Sequence, residues 1–199
     1  MDKALAEGLA KLSLVLPPGA EQGLLTYARE LLKWNQKVNL TAITAPDEVV
    51  DKHLLDALAV LPEVGPASGL LDLGAGAGLP GIPLALALPH LQVTLVDAVA
   101  KKVGFMKHAA ALLGLGGRVK ALHARATGNP AKDGIPQADT VISRALVEVE
   151  GWKALARPYV SRPGRIVAML GQTQDPSARR YSLPLSRDPR AVSVFHVEL

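Results

Sequence analysis

The sequence predicts an α/β protein: a doubly wound, mostly parallel sheet preceded by a helical cap. Three observations predict it. Residues 1 to about 62 repeat apolar positions at helical spacing. Short strand-like and helix-like segments alternate from residue 70 onward. A glycine-rich turn joins the first strand to the helix after it. Such alternation means parallel strands linked by right-handed crossovers. The 199 residues suffice for one sizeable core. The expected division is a cap over 1–64 and a core over 65–199, within one compact domain.

Residues 20–37 set Leu24, Leu25, Ala28, Leu31, Leu32 and Asn35 at helical spacing. A further helix opens near Pro46, with Thr44 as its expected cap and Asp47 and Glu48 in its first turn. It runs through His53, Leu54, Asp56 and Leu58 to about Leu61, where Pro62 stops it. A Pro/Gly/Ser linker covers 64–69. Residues 70–73 then read as a strand and 79–88 as a helix, with Pro80 tolerated in its first turn. Strands follow at 91–96, 119–123, 140–143 and 165–170, with helices at 99–115 and 147–160. Residues 191–197 alternate like an edge strand or hairpin arm.

Composition excludes several chemistries. With no cysteine there is no disulfide, Cys-ligated zinc, iron–sulfur cluster or thiol nucleophile. No uninterrupted apolar run reaches the ~18 residues of a membrane span, and residues 1–12 carry acids in place of a signal-peptide core. The expectation is a cytoplasmic protein with no membrane partner. The net charge of +4 is uneven: −2 over 1–60, −3 over 61–100 and +9 over 101–199. A basic back half fits an anionic partner, nucleic acid above all, and equally a solvated surface. Lys101, Lys102, Lys107, Arg118 and Lys120 form one basic run, and Arg157, Arg162 and Arg165 another. Arg179, Arg180, Arg187 and Arg190 lie beyond.

The informative stretch is Leu70-Leu71-Asp72-Leu73-Gly74-Ala75-Gly76-Ala77-Gly78-Leu79-Pro80-Gly81. Glycines there let the backbone turn sharply and approach a ligand closely. Asp97 ends the second strand about 20 residues on, where a carboxylate suits a ribose diol. Together they describe an adenosine-containing cofactor at the carboxyl ends of the strands. Two registers compete. Gly76 to Gly81 satisfies the dinucleotide pattern G-x-G-x-x-G, which points to a nicotinamide-dependent oxidoreductase. Read from Gly74, where the strand ends, the pattern is G-x-G-x-G, as in S-adenosylmethionine (SAM) methyltransferases.

Further stretches carry a resemblance: Lys33-Trp34-Asn35 with Asn39-Leu40-Thr41, His53-Leu54-Leu55-Asp56, and the glycine turn continuing through Leu79-Pro80-Gly81-Ile82-Pro83-Leu84. Asp97 with Lys101, Lys102 and Phe105, and Ile142-Ser143-Arg144-Ala145, complete it. Over roughly residues 24–172 the chain resembles the glucose-inhibited division protein B family, the bacterial 16S rRNA (guanine-N7) methyltransferases. The resemblance implies a Rossmann-like SAM-dependent fold, with 16S rRNA or an assembling 30S subunit as partner. A monomer is the expectation, since the sequence shows no heptad repeat. It implies that Gly74, Gly76, Gly78 and Leu79 line the methionine and ribose side of SAM. Asp97 would hold the ribose hydroxyls, Ala126 and Thr127 would flank the adenine, and Arg144 would stand at the mouth of the site. Arg125 matches a second arginine near the cleft, and Arg190 an arginine before the last strand. Where the family commonly carries Lys-Gly after the fifth strand, this chain has Leu170-Gly171.

Guanine N7 carries an in-plane lone pair and no proton, so methylation there needs orientation and no general base. Arg144 and Asn39 are the candidate orienting groups, Asn39 with a helix cap as its alternative. Lys101, Lys102, Arg125, Arg165 and Arg190 are the candidate RNA contacts. His53 and Asp56, three apart on a helix, read as a contact between cap and core, and no metal site is expected. Trp34 either stacks a base or, more simply, packs the cap on the core. Two rival readings remain at this level: the oxidoreductase, and a SAM- or RNA-binding protein that has lost catalysis.

Overall fold

The structure, a computed structural model, describes residues 1–64, 67–144 and 148–198. Gly65 and Pro66 of the linker, Ala145 of the Ser-Arg-Ala stretch and Val147, the expected start of a helix, lie outside the described residues.

The cap begins with α1 (Asp2–Lys11) and α2 (Ala20–Asn35). α3 (Pro46–Val49) passes directly into a π-helical stretch, Val50–Leu55, and then into α4 (Asp56–Leu58). The N-cap is Ala45, with no side-chain bond, so Thr44 does not cap this helix. Pro62 sits inside the short α5 (Leu61–Val64), where its missing N–H costs nothing in a first turn.

The core runs β1 (Gly69–Leu73), α6 (Gly81–Ala87), β2 (Gln92–Asp97), α7 (Ala100–Leu112), β3 (Val119–His123) and α8 (Pro130–Asp133). It continues with β4 (Ala138–Arg144), α9 (Val149–Ala156), a 3-10 turn at Arg157–Tyr159, and β5 (Val160–Leu170). β6 (Arg179–Ser182) and β7 (Pro189–Val197) close it. The strand order is β3-β2-β1-β4-β5-β7-β6. The first five strands are parallel, and β7 is antiparallel to both β5 and β6. The tail strand is thus a hairpin arm that lies inside the sheet. The edge belongs to β6, whose Arg179-Arg180 start hides it from an apolar pattern and suits an exposed edge.

Alternation along the strands sorts two cores. Leu70, Ile142, Val167 and Val192 pack with Leu5, Leu24, Leu31 and Leu54 of the cap and with Ile82 and Phe105. Leu71, Val141, Ile166 and Ala168 face Trp152 and Tyr159 on the other side. Cap and sheet therefore share one continuous apolar cluster. Because both faces are covered, the central strands read as unbroken apolar runs.

Candidate active site

The glycine turn leaves β1 with φ of 75°, 60° and 88° at Gly74, Gly76 and Gly78, a region L-residues with side chains avoid. A Cβ at Gly78 would come within 2.5 Å of Ile82. A Cβ at Gly74 or Gly76 would meet nothing within 4 Å. Those two glycines therefore face open space, and the turn they form is a cradle whose backbone a ligand can approach closely. Neighbouring groups hold the turn in shape. Gly74 and Ala75 N–H both donate to the Val96 carbonyl at 2.9 Å. Gly76 N–H donates to Asp97 Oδ2 at 2.9 Å, and Val99 N–H to Asp97 Oδ1 at 2.8 Å. Each Asp97 oxygen keeps a further lone pair for a hydroxyl. From the cap, the buried Tyr27 hydroxyl donates to the Ala77 carbonyl at 2.8 Å. Sequence periodicity puts Tyr27 on the buried face of α2, since Leu24 and Leu31 flank it at helical spacing, but gives no sign of this partner.

Asp72 lies beneath the turn, fully buried. Its Oδ2 accepts the Gly81 N–H at 2.9 Å, while Oδ1 has no partner among the described residues. Burial pushes its carboxyl up to about 7, against the pull of Gly81 N–H and the Arg144 charge. The folded protein then holds a proton that the unfolded chain releases near pH 4. Stability from this group is full below about pH 4 and is lost as pH rises through about 7. An Asp72→Asn variant should therefore gain on the wild type in thermal melts as pH goes from 5 to 8. A difference that stays constant with pH would refute this assignment.

Beside the turn, a cavity of about 430 Å³ is lined by Lys52, His53, Asp56, Arg144, Leu170 and Arg190, with Ile43, Met169 and Gly171. It opens at the carboxyl end of β4 and β5, and Arg190 enters at the start of β7, paired with that same end. Arg144 Nη1 donates to the Lys52 carbonyl at 3.1 Å and meets His53 Nδ1 at 3.0 Å. His53 is buried, and desolvation together with the Arg144 charge holds its ring down to about 4, so it is neutral at pH 7. A guanidinium can only donate, so Nδ1 is the acceptor and Nε2–H donates to Thr41 Oγ1 at 2.8 Å. The 3.0 Å approach of Nδ1 to the Lys52 carbonyl is then a contact and not a hydrogen bond. Thr41 is in turn held by Asn35, whose amide spans Leu40 N–H, Thr41 N–H and the Thr41 carbonyl.

Asp56 lies between two arginines, 3.9 Å from Arg144 and 3.8 Å from Arg190, and accepts the Tyr181 hydroxyl at 2.8 Å. Burial raises its pKa, opposed by Tyr181, Arg144 and Arg190. Asp51 accepts Leu185 and Ser186 N–H at 3.0 and 2.8 Å, which fixes the β6–β7 loop that leads into Arg190 at the start of β7.

Of the residues marked from sequence, the fold brings Gly74, Gly76, Gly78, Leu79, Asp97 and Arg144 to one edge of the sheet. Ala126 and Thr127 follow β3 at the same edge, next to Asp97, whose carbonyl accepts Ala124 N–H at 3.2 Å. Lys101, Lys102 and Arg125 also lie on that edge, after β2 and β3. Arg165 does not. It pairs with Thr140 and His196 toward the far rim, about 16 Å down the strand from Leu170, and donates to the Glu63 carbonyl. Arg118 is spent on the carbonyls of Ala85, Leu88 and Leu91. Asn39 is exposed and does not line the cavity. Trp34 packs, its ring 5.5 Å from Phe105 and its Nε1–H on Glu30 at 2.9 Å. His53 and Asp56 join cap to core as expected, and in doing so form a wall of the cavity. No group of three or more metal-ligating side chains occurs among the described residues.

Solved structures that superpose on this fold include methyltransferases. The apo SAM-dependent methyltransferase SibL superposes with a TM-score of 0.59 at 17% identity, over 89% of this chain and 70% of that one. The C-terminal domain of precorrin-6Y C5,15-methyltransferase from Rhodobacter capsulatus gives 0.53 at 16%, over 71% and 88%. The fold is thus the Rossmann-like one of SAM-dependent methyltransferases, and the dinucleotide register is not favoured. Curated relatives are far nearer in sequence. The ribosomal RNA small subunit methyltransferase G of Myxococcus xanthus is 54% identical, over 98% of this chain and 96% of that protein. That of Anaeromyxobacter sp. strain Fw109-5 is 46% identical, over 96% and 94%. The family model GidB, described as rRNA small subunit methyltransferase G, matches residues 20–183. The cradle, the Asp97 carboxylate and the arginine-walled cavity fit SAM and an electron-rich acceptor, and the chain belongs to the rRNA small subunit methyltransferase G family.

Proposed function

We propose that this enzyme methylates N7 of a guanine in 16S rRNA. The observation that carries the reading is the meeting of two features. The glycine cradle and the arginine-lined cavity open at the same edge, on the adjacent strands β1 and β4. Gly74, Gly76, Gly78 and Leu79 would hold the amino-acid and ribose side of SAM, and Asp97 the ribose hydroxyls. When bound, SAM supplies an electrophilic methyl group.

The cavity's own residues suit an acceptor that has no proton to lose. His53 Nδ1 is occupied by Arg144, and Asp56 by Tyr181 between two arginines, so neither stands free as a base. Arg144 can donate to guanine O6 and leave the N7 lone pair directed at the methyl. Positive charge that develops on the base is balanced by the Asp56 carboxylate nearby. The chain's work is then orientation and exclusion of water, which is where most of such a rate enhancement arises. Arg190, Lys101, Lys102 and Arg125 are the phosphate contacts in this reading. The reading extends to a monomer acting in the cytoplasm, where ribosomal RNA lies.

The test supplies tritium-labelled SAM and small-subunit particles that lack N7 methylation. Label should enter the RNA, and reduction followed by aniline should cleave the strand at one guanine. Labelled RNA without that cleavage would place the methyl on another atom. No transfer to particles or naked rRNA would leave a protein that has lost catalysis.

A further inference from the structure

We propose that Tyr159 and Asp133 are positioning residues for cofactor binding, acting through the loop after β3. The inference rests on the SAM reading above, which sets the adenine against Ala126 and Thr127. Tyr159 lies on the 3-10 turn that leads into β5, far from that loop in sequence and fully buried. Its hydroxyl oxygen accepts Thr127 N–H at 3.0 Å and Gly128 N–H at 2.9 Å. The same hydroxyl donates to Asp133 Oδ2. Asp133 then returns to the loop: Oδ2 accepts Thr127 N–H at 2.9 Å and Oδ1 accepts the Thr127 hydroxyl at 2.7 Å. The hydrogen bonds from Tyr159 and Thr127 hold the Asp133 carboxyl down to about 2.

This arrangement has one buried anchor on two successive backbone N–H groups, and one anionic brace on the Thr127 N–H and hydroxyl. An irregular loop at the edge of the sheet has few packing contacts to define it. Fixing Thr127 and Gly128 from below sets the path of Ala126 and Thr127 across the cofactor end of β3. Gly128 has φ of 87°, so the loop takes a conformation that only such anchoring and a glycine allow. Neither residue lines the arginine cavity. Their effect should therefore fall on SAM and not on RNA or on the methyl-transfer step.

The experiment measures SAM binding by calorimetry, then KM for SAM, KM for RNA and kcat, in wild type, Tyr159→Phe and Asp133→Ala. Expected is a rise of about tenfold in the SAM Kd and KM of Tyr159→Phe, and a smaller rise in Asp133→Ala. The kcat at saturating SAM and the KM for RNA should stay within about twofold. Asp133 is half-exposed, so its variant decides the matter if Tyr159→Phe fails to fold. Unchanged SAM affinity in a folded variant overturns the inference, as does a fall in kcat with SAM affinity intact. A wild type that binds no SAM would instead overturn the reading on which the inference rests.

Discussion

Arg144→Ala should lower kcat/KM for methyl transfer by about 100-fold or more. The guanidinium reaches both walls of the cavity. It spans from β4 to the Lys52 carbonyl and His53 Nδ1 of the cap, and faces Asp56. Its removal takes the donor to the substrate and also the charge that balances a buried carboxylate. His53 Nδ1 would then lose its donor, and it keeps a partner only if the ring changes tautomer and donates to the Lys52 carbonyl 3.0 Å away. Arg144→Lys should recover little, because a single ammonium cannot reproduce the planar fork. Methyl-transfer kinetics on RNA check this, with thermal melts to show the variant is folded. Full activity of a folded Arg144→Ala protein would remove Arg144 from the mechanism.

Asp97→Ala should weaken SAM binding by about 100-fold or more, because two losses coincide. One is the acceptor for the ribose hydroxyls. The other is the brace of the cradle itself, since Asp97 holds Gly76 and Val99 N–H. Two backbone donors lose a charged acceptor, each worth about 1.5–3 kcal/mol when so paired. Asp97→Asn keeps one oxygen and should sit between alanine and wild type. Calorimetric titration with SAM checks the order. Equal affinity in all three proteins would mean that the ribose is held elsewhere.

Much of this was readable in the residues. The parallel sheet followed from buried strands that look uniformly apolar, and the turn from glycines that end a strand. Asp97 is legible as the acid that ends the second strand about 20 residues after the glycine turn, whereas Arg144 is marked only by the resemblance carried by Ser143-Arg144-Ala145. What stayed hidden depends on long-range pairing. Tyr159 sits more than thirty residues from the loop it holds, and Tyr181 more than a hundred from Asp56. A tyrosine in a buried pattern announces its ring and not the partner of its hydroxyl. β6 leaves no mark in the sequence, because an exposed edge strand needs no apolar alternation. Arg165 groups with the other basic residues by charge alone, although its place at the start of the strand over 165–170 already sets it opposite the carboxyl ends, and the register of β5 puts it at the far rim. Asn39 stood next to the motif that matters, while Asn35 does the holding through three backbone bonds.

The π-helical stretch at Val50–Leu55 constrains which insertions and deletions the chain can tolerate. Asp56 N–H bonds to the Asp51 carbonyl across five residues, one more than an α-helix allows. That extra residue lets Asp51 reach the β6–β7 loop while His53 and Asp56 both face Arg144. Deleting one residue here would restore an ordinary helix and rotate one set of partners away from the other. The helix would keep its apolar packing and lose either the loop that brings Arg190 or the carboxylate between the arginines. Length in this segment is thus under tighter restraint than composition, and a survey of tolerated indels should find it empty while point changes at Leu54 or Val50 to other apolar residues survive.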